Sequence, residues 1–516
     1  MNDNKISKNS IVAKFAVPIS FLILFFLAAN FTDCDLVTFW KRRSHLTDLV
    51  VDMIPPDFSY IQKILLPLFY TIQMSVTGTV LGIFFALVLS PFGAANLGFP
   101  AVIRRILRIV IQILRSFPAL ILALTATFLF GLGTFAGTFA ITLYTFAIMT
   151  KLTYEDASAA DVKAYQALRA MGVSKYVAYI HGILPEIIPG FLTNALYLLE
   201  TNVRHSAILG YVGAGGIGLL LNEKISWLEY DKVGTILLML FLTVCVIEYF
   251  SRYLAALIRK ERTIKKGQAR LLLLFLAALF LICTFTLSLP DFSRTSPQTL
   301  RNMFAGFLQP DWSFFFSAEK DGLGYLLLET VCIAFIGTVI GAIVSAPLAF
   351  LNTKRFVPAP VSFLFNLVIM VIRSVPFLVY GLIFIRVSGP GAFTGVLTLA
   401  VCSIGLLTKR FTEALDALDP RPYHALLAMG VRPLPAICHS VLPQLKPVFT
   451  SIILYRFDVN IREASVLSLV GAGGIGAPLI FSMNQYAWEK AGAIMLGLIL
   501  LVWFIDMVSE KIGAGN

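Results

Sequence analysis

Charge is scarce in this chain. Of its 516 residues only 14% are Asp, Glu, Lys or Arg, 58% are hydrophobic, and the mean hydropathy is +0.83. A soluble domain carries about 25% charged residues. The polar surface needed to stay in water is missing, which excludes a soluble enzyme, a nucleic-acid-binding protein and a disordered scaffold. Paired cysteines are also absent. Cys34, Cys245, Cys283, Cys332, Cys402 and Cys438 are scattered, with no C-x-x-C. Most lie in or beside apolar segments and read as small hydrophobes, so neither a disulfide framework nor a zinc site follows. No G-x-x-x-x-G-K-[ST] phosphate loop occurs, and no H-E-x-x-H or Ser/His/Asp arrangement. No catalytic residue, metal or cofactor is therefore assigned to the chain.

Long apolar runs take the place of charge. Lys5, Lys8 and Lys14 precede the run Phe15 to Ala29. This has the form of a signal peptide, but further spans follow and no convincing cleavage site appears, so we read an uncleaved first span. A span needs about 20 apolar residues. Spans are expected near 12–30, 64–90, 106–130, 134–150, 187–221 and 233–256. A second set is expected near 270–289, 323–351, 361–386, 392–408, 443–470 and 491–508. The fold class is all-α and polytopic, about twelve spans in two parallel sets of six. With both termini in the cytoplasm, only Lys41, Arg42, Arg43, Lys224, Lys232, Arg294, Arg301, Lys320 and Lys490 fall in outer loops. Most other basic residues lie inside, as the positive-inside rule requires, and this accounts for the net charge of +12 without invoking nucleic acid. The cluster Lys41-Arg42-Arg43 is the exception, in a loop long enough to fold as its own short element.

The two sets are copies. Arg115-Ser116-Phe117-Pro118 matches Arg373-Ser374-Val375-Pro376, and Ala170-Met171-Gly172-Val173 matches Ala428-Met429-Gly430-Val431. The run GAGGIG at Gly213 to Gly218 returns at Gly471 to Gly476. Each pair is offset by 258 residues, and residues 115–218 align without a gap over 104 positions with 39 identities. We divide the chain into a first half, 1–258, a basic linker, 259–270, and a second half, 271–516. Parallel copies imply halves related by an axis along the membrane normal, with a pathway between them.

Two polar segments interrupt the apolar pattern at equivalent places, 151–185 and 409–443. The first carries Glu155, Asp161, Lys163, Arg169 and Lys175, so it cannot sit in lipid. Residues Ala164 to Met171 are good helix formers and Gly172 is a natural helix stop. The pattern predicts a short helix, a turn, and a second segment ending at Leu184-Pro185; a plain connecting loop is the alternative.

The spans contain one conspicuous polar string. Glu200-Thr201-Asn202-Val203-Arg204 returns as Asp458-Val459-Asn460-Ile461-Arg462. An acid and an Arg four apart share a helix face and can pair. A charge in the bilayer costs several kcal/mol unless it is paired or reached by water. Either a structural ion pair or a polar lining of a path satisfies this. Gly213, Gly215, Gly216, Gly471, Gly473 and Gly474 follow at once. A dinucleotide loop would need a βαβ unit, and none is present. Glycines within a span allow close packing or bending, and a gate or packing hinge is expected here. Arg115 and Arg373, each before a Ser-x-Pro, would form either a lipid-phosphate contact or a basic collar for an anion.

The segments 151–185 and 409–443 resemble the EAA loop of ATP-binding-cassette importer permeases. The Ala residues, Gly172, Gly430, Leu184-Pro185 and Leu442-Pro443 match; the family Glu is replaced by Gln166 and His424. The acid-x-Asn-x-Arg string leading into Val-Gly-Ala-Gly-Gly-Ile-Gly, with Arg-Ser-x-Pro, is similar to the phosphonate permease branch. His205 and Glu463 depart from the uncharged residue common there. The resemblance implies a type I importer permease fold built from two fused halves. Gln166, Ala167, Gly172, His424, Ala425 and Gly430 would dock on two separate ATPase subunits, which would hold ATP and Mg. Arg115, Glu200, Asn202, Arg204, Arg373, Asp458, Asn460 and Arg462 would line the path of a small anion. An extracytoplasmic substrate-binding protein would deliver it, and the location would be a bacterial plasma membrane. An importer of the same family for another small solute is one alternative, and two rivals of other classes stand beside it. An ion-coupled transporter would use Glu200, Asp458 or Glu248 as its ion site, and a membrane receptor or scaffold would leave the duplicated charges without a task.

Overall fold

The computed structural model describes residues 19–259, 265–290, 297–317, 319–320 and 322–514. Among these the regular elements are helical, with no strand. The first repeat runs α1 (Ile19–Phe31), α2 (Leu36–Lys41), α3 (Arg43–Asp52), α4 (Ile61–Gly93), α5 (Ala101–Ser116) and α6 (Ala119–Phe130). It continues with α7 (Thr134–Ala159), α8 (Lys163–Ala170), α9 (Lys175–Gly182), α10 (Leu184–Leu209), α11 (Ile217–Ser226) and α12 (Tyr230–Ile258). The second runs α13 (Lys266–Phe285), α14 (Pro297–Leu308), α15 (Trp312–Phe315), α16 (Leu323–Asn352), α17 (Ala359–Ser374) and α18 (Phe377–Ser388). It ends with α19 (Ala392–Ala417), α20 (Arg421–Ala428), α21 (Pro433–Ala436), α22 (Leu442–Leu467), α23 (Gly476–Asn484) and α24 (Trp488–Ala514). Eight helical stretches are long and apolar enough to cross a membrane, or eleven spans if three bent pairs are each counted as one. The shorter α1 covers the described part of the first expected span; residues 12–18 lie outside the described residues, as do 260–264 of the linker.

Where spans bend, the sequence supplies the cause. The pair α5 and α6 meets at 95°, and α17 with α18 at 87°. Pro118 has no N–H to continue α5, and the residue before it is held extended, with Phe117 at φ −88° and ψ 128°. The basic cluster Lys41-Arg42-Arg43 does fold locally, at the junction of α2 and α3.

One expected span is corrected. The helix from 187 does not reach 221: it ends at Leu209, turns through Gly210–Val212, and restarts as α11 at Ile217. The GAGGIG run is thus a turn between helices, not a flexible stretch inside one. Gly213, Gly215 and Gly216 hold φ of +82°, +77° and +76°, and Gly471, Gly473 and Gly474 repeat this at +81°, +74° and +87°. That is the left-handed region, which side chains with a Cβ avoid.

The chain packs as two compact units. Among the described residues, one gathers 19–48 with 305–373 and 377–514; the other gathers 49–304 and takes 374–376. Compact units and sequence repeats are therefore different divisions of the chain. In the first unit α1 lies on α16, with the Phe21 and Phe335 rings 5.5 Å apart and Phe31 and Tyr325 4.9 Å apart. In the second unit α13 is bound to α4, where the buried Gln73 donates to the Cys283 carbonyl at 3.0 Å and to Thr286 Oγ1 at 2.8 Å. Each first span thus sits among helices of the other repeat.

Candidate translocation and coupling sites

The polar string in α10 and α22 divides into two faces. Positions two apart on a helix point about 200° apart. Asn202 accordingly faces away from Glu200 and Arg204. It is fully buried, and its Nδ2 donates to Thr79 Oγ1 and Thr145 Oγ1, both at 2.8 Å. Asn460 repeats the arrangement on Thr338 Oγ1 at 2.7 Å and Ser403 Oγ at 2.9 Å. One amide therefore ties three helices, α4, α7 and α10, or α16, α19 and α22. The amides thus form a junction deep in each repeat.

The junction depends on close approach. A Cβ on Gly78 would lie 2.7 Å from Ile141 Cγ2, and one on Gly82 only 2.6 Å from Thr145 Cβ. Gly337 and Gly341 stand equally close to Leu399 and Ser403. Such small-x-x-x-small spacing lets membrane helices touch along their backbones. It brings Thr145 and Ser403 within reach of the amides.

On the opposite face, Arg204 Nη2 donates to Glu200 Oε1 at 3.0 Å. Arg462 pairs with Asp458 in the same i,i+4 manner. All four side chains are largely buried. The second half holds a further pair that spacing alone did not expose. Arg456, itself buried, donates to both carboxylate oxygens of Glu463 at 3.3 and 2.8 Å and to Ser403 Oγ at 3.1 Å. The first-half counterparts, 258 positions earlier, are Leu198 and His205. The signal for Arg456 was present as an Arg and a Glu seven apart, two helical turns on one face.

The glycine turn is pinned, not loose. Gly133 N–H donates to the Gly213 carbonyl at 3.0 Å, and Ile217 N–H to Thr71 Oγ1 at 2.9 Å. Gly391 to Gly471 at 2.8 Å and Ile475 to Thr330 Oγ1 at 3.2 Å repeat both bonds. In the second repeat Glu329 adds a carboxylate that accepts from Gly474 N–H at 2.8 Å. Arg115 and Arg373 lie at the ends of α5 and α17, at the bends, and are partly buried.

The polar segments form the expected helix and turn. α8 ends with Gly172 at φ +84°: its N–H donates to the Arg169 carbonyl at 3.0 Å and that of Val173 to Leu168 at 3.2 Å. This double bond past the helix end is the Schellman arrangement. α20 repeats it at Gly430, with 2.9 and 3.1 Å bonds. Backbone N–H of Lys163 and Arg421 donate to Asp161 and Asp419, each at 3.0 Å, and hold both carboxyls below their usual range. Tyr165 anchors α8, donating to the Leu97 carbonyl at 2.6 Å within a cluster of Ala94, Tyr154, Ala178 and Tyr179. Gln166, Ala167, Gly172, His424, Ala425 and Gly430 are all exposed, and so are Met171 and Met429 beside the glycines. The copies differ after the turn. α9 meets α10 at 69°, whereas α21 enters α22 through a π-helical stretch, Ile437–Val441.

Bent spans, an exposed helix-turn element in each repeat and paired charges within apolar helices define a polytopic transport subunit. The chain belongs to the family of binding-protein-dependent transport system inner membrane components, whose profile matches residues 78–261 and again 337–512. It is 27% identical to the phosphate-import permease protein PhnE of Mycolicibacterium smegmatis, over 90% of this chain and 88% of that one. It is 35% identical to the phosphite transport system permease protein PtxC of Stutzerimonas stutzeri, over 36% of this chain and 67% of that one. The ABC transport system permease protein p69 of Mycoplasma genitalium is 22% identical, over 84% and 82%. The repeated match confirms the duplication read from the 258-residue offset.

Proposed function

We propose that this chain is the membrane permease of an ATP-driven importer for a phosphorus oxyanion such as phosphonate, phosphite or phosphate. The observation that carries the substrate class is the duplicated acid-x-Asn-x-Arg string leading into the glycine turn, together with relatives that are named for phosphate and phosphite transport. The exposed α8 and α20, each closed by a left-handed glycine, are the docking elements for two separate ATPase subunits. ATP and Mg belong to those subunits, since the chain has no Walker A sequence. A substrate-binding protein loads the opposite face, both termini lie in the cytoplasm, and Arg204 attracts the anion. Transport proceeds by alternating access of the permease, driven by the ATPases.

The ion-coupled rival loses ground on geometry. Each acid it would use faces an Arg one turn on: Glu200 with Arg204, Asp458 with Arg462, and Glu248 with Arg252. A carboxylate held by a guanidinium is a poor site for a travelling proton. The test is uptake of radiolabelled phosphite and methylphosphonate by proteoliposomes holding the whole complex. Uptake persists with ionophores and stops without ATP. Uptake by the chain alone, driven by an ion gradient, would refute the proposal.

A further inference from the structure

We infer that the two halves do not contribute equally to the anion contact: the first half supplies it, through Arg204, His205 and Tyr211. This rests on the reading of the chain as a permease for a phosphorus oxyanion and assigns the recognition to one repeat.

The starting observation is a set of buried hydrogen-bonding atoms left without a protein partner. Arg204 Nη1, His205 Nδ1 and Tyr211 Oη are all buried and all unpartnered, within eight consecutive residues. Leaving such an atom unsatisfied is costly, and native structures rarely do so without a ligand or water in view. Arg204 uses its other terminal nitrogen on Glu200, so the guanidinium is held in place while one edge stays available. The His205 ring is steadied edge-on against Tyr144, with centroids 5.1 Å apart.

The three follow one another closely in the chain. Arg204 lies in the last turns of α10 and Tyr211 in the turn that follows Leu209, seven residues on. His205 follows Arg204 directly. Arg donates only, and Tyr and neutral His each can donate, so the complementary ligand is rich in acceptors. A tetrahedral oxyanion fits that demand, and a guanidinium fork suits its oxygens. The position is also apt: Tyr211 opens the pinned glycine turn, where α10 ends and α11 begins.

The second half has lost the same set. The residues 258 positions on are Arg462, Glu463 and Leu469. Glu463 brings a negative charge, which Arg456 takes up with two hydrogen bonds, and Leu469 has nothing to donate. There Glu463 has its partner within the chain. Two fused halves can diverge in this way, whereas a homodimer is bound to keep both sites identical.

The experiment uses the full complex in proteoliposomes with phosphite and methylphosphonate as probes, and compares charge-neutral replacements in the two halves. Glu200→Gln with Arg204→Gln removes the first pair without stranding a buried charge; Asp458→Asn with Arg462→Gln does the same in the second. Tyr211→Phe removes one hydroxyl and keeps the ring. Thermal unfolding of each variant checks that it folds. The expected result is a KM for uptake raised about tenfold or more by the first-half pair and several-fold by Tyr211→Phe. The second-half pair should change it less than about threefold. Equal effects of the two pairs, or an unchanged KM in Tyr211→Phe, would overturn the inference, the unpartnered atoms then being met by water. Absence of any phosphite or methylphosphonate uptake by the unmodified complex would instead strike the proposed function, so the two failures are distinct.

Discussion

A Cβ placed on Gly82 would lie 2.6 Å from the Cβ of Thr145. That contact decides how near α4 and α7 come, and hence whether Asn202 on α10 can reach Thr145 Oγ1 at 2.8 Å and Thr79 Oγ1 at the same time. Replacing Gly82 by Ala forces the helices apart, since real Cβ atoms do not approach so closely. Overpacking of this kind costs about 1–3 kcal/mol. Gly82→Ala, and Gly341→Ala against Ser403 in the second repeat, should each lower the thermal unfolding temperature of the purified chain in detergent. An unchanged temperature in both would show that the helices separate at no cost.

Asn202 itself provides the companion test. Asn202→Ala removes both donors and leaves two buried hydroxyls without one partner, a loss of about 1–3 kcal/mol. Asn202→Gln keeps the amide but displaces it along the helix, and should not restore stability. The measurement is again thermal unfolding. Retention of full stability by Asn202→Ala would remove the junction role and return the residue to the path.

Much of this was legible in the sequence, and the boundary of legibility has a physical basis. Charges within apolar runs stand out, so the strings at Glu200 and Asp458 were visible, and a gapless offset exposes a duplication at any distance. The Schellman ends at Gly172 and Gly430 followed from local helix rules. Contacts decided by partners far along the chain are not legible there: nothing near Asn202 in sequence names Thr79 or Thr145. Gly78 and Gly82 were readable as a packing pair, and Arg456 with Glu463 as one face, but neither is conspicuous against a helix of similar residues. Hydropathy does not report φ, so a glycine run among apolar residues reads as part of a span. The seating of α1 and α13 among helices of the other repeat rests on contacts such as Gln73 to Cys283, which no local pattern encodes.

The coupling elements make a prediction that separates folding from function. Nothing lies within 4 Å of a Cβ built at Gly172 or Gly430, so a side chain there meets no other part of the chain. Its intrinsic cost is the left-handed backbone, about 1–2 kcal/mol. Gly172→Trp and Gly430→Trp should therefore insert and fold, yet lose docked ATPase, because the ring projects from a surface proposed to seat in a partner. Co-purification of the ATPase with each variant, beside its yield and unfolding temperature, checks this. Normal ATPase recovery with both would place the contact elsewhere.

Asp161 gives a pH-dependent expectation with a definite sign. Its carboxyl sits below the usual range because the Lys163 backbone N–H donates to it, and Asp419 is held likewise by Arg421. A carboxylate depressed on folding contributes stability above its unfolded pKa of about 3.9, and that contribution fades as pH falls through the folded value. Hydrogen exchange in α8 and α20 should therefore show no protection change from this source between pH 6 and 8. Asp161→Ala should speed exchange at the start of α8 alone. Protection in α8 that is unaffected by Asp161→Ala would show that the Tyr165 anchor holds the helix unaided.

The ion pair at Glu200 and Arg204 can be asked directly whether pairing is its whole task. Both side chains are largely buried and 3.0 Å apart, so either single neutral replacement strands a charge and should destabilise the chain. The exchanged form, Glu200→Arg with Arg204→Glu, restores opposite charges at the same spacing. It moves the guanidinium by four residues, about 6 Å along the helix, away from Tyr211 and the glycine turn. If the pair only locks the helix, the exchange restores both folding and transport. If Arg204 also receives the anion, the exchange restores folding but not uptake, because the positive group is no longer beside His205 and Tyr211. The expected outcome is the second: an unfolding temperature close to that of the unmodified chain, with phosphite uptake reduced about tenfold or more. Full recovery of uptake in the exchanged form would make Glu200 and Arg204 a structural pair.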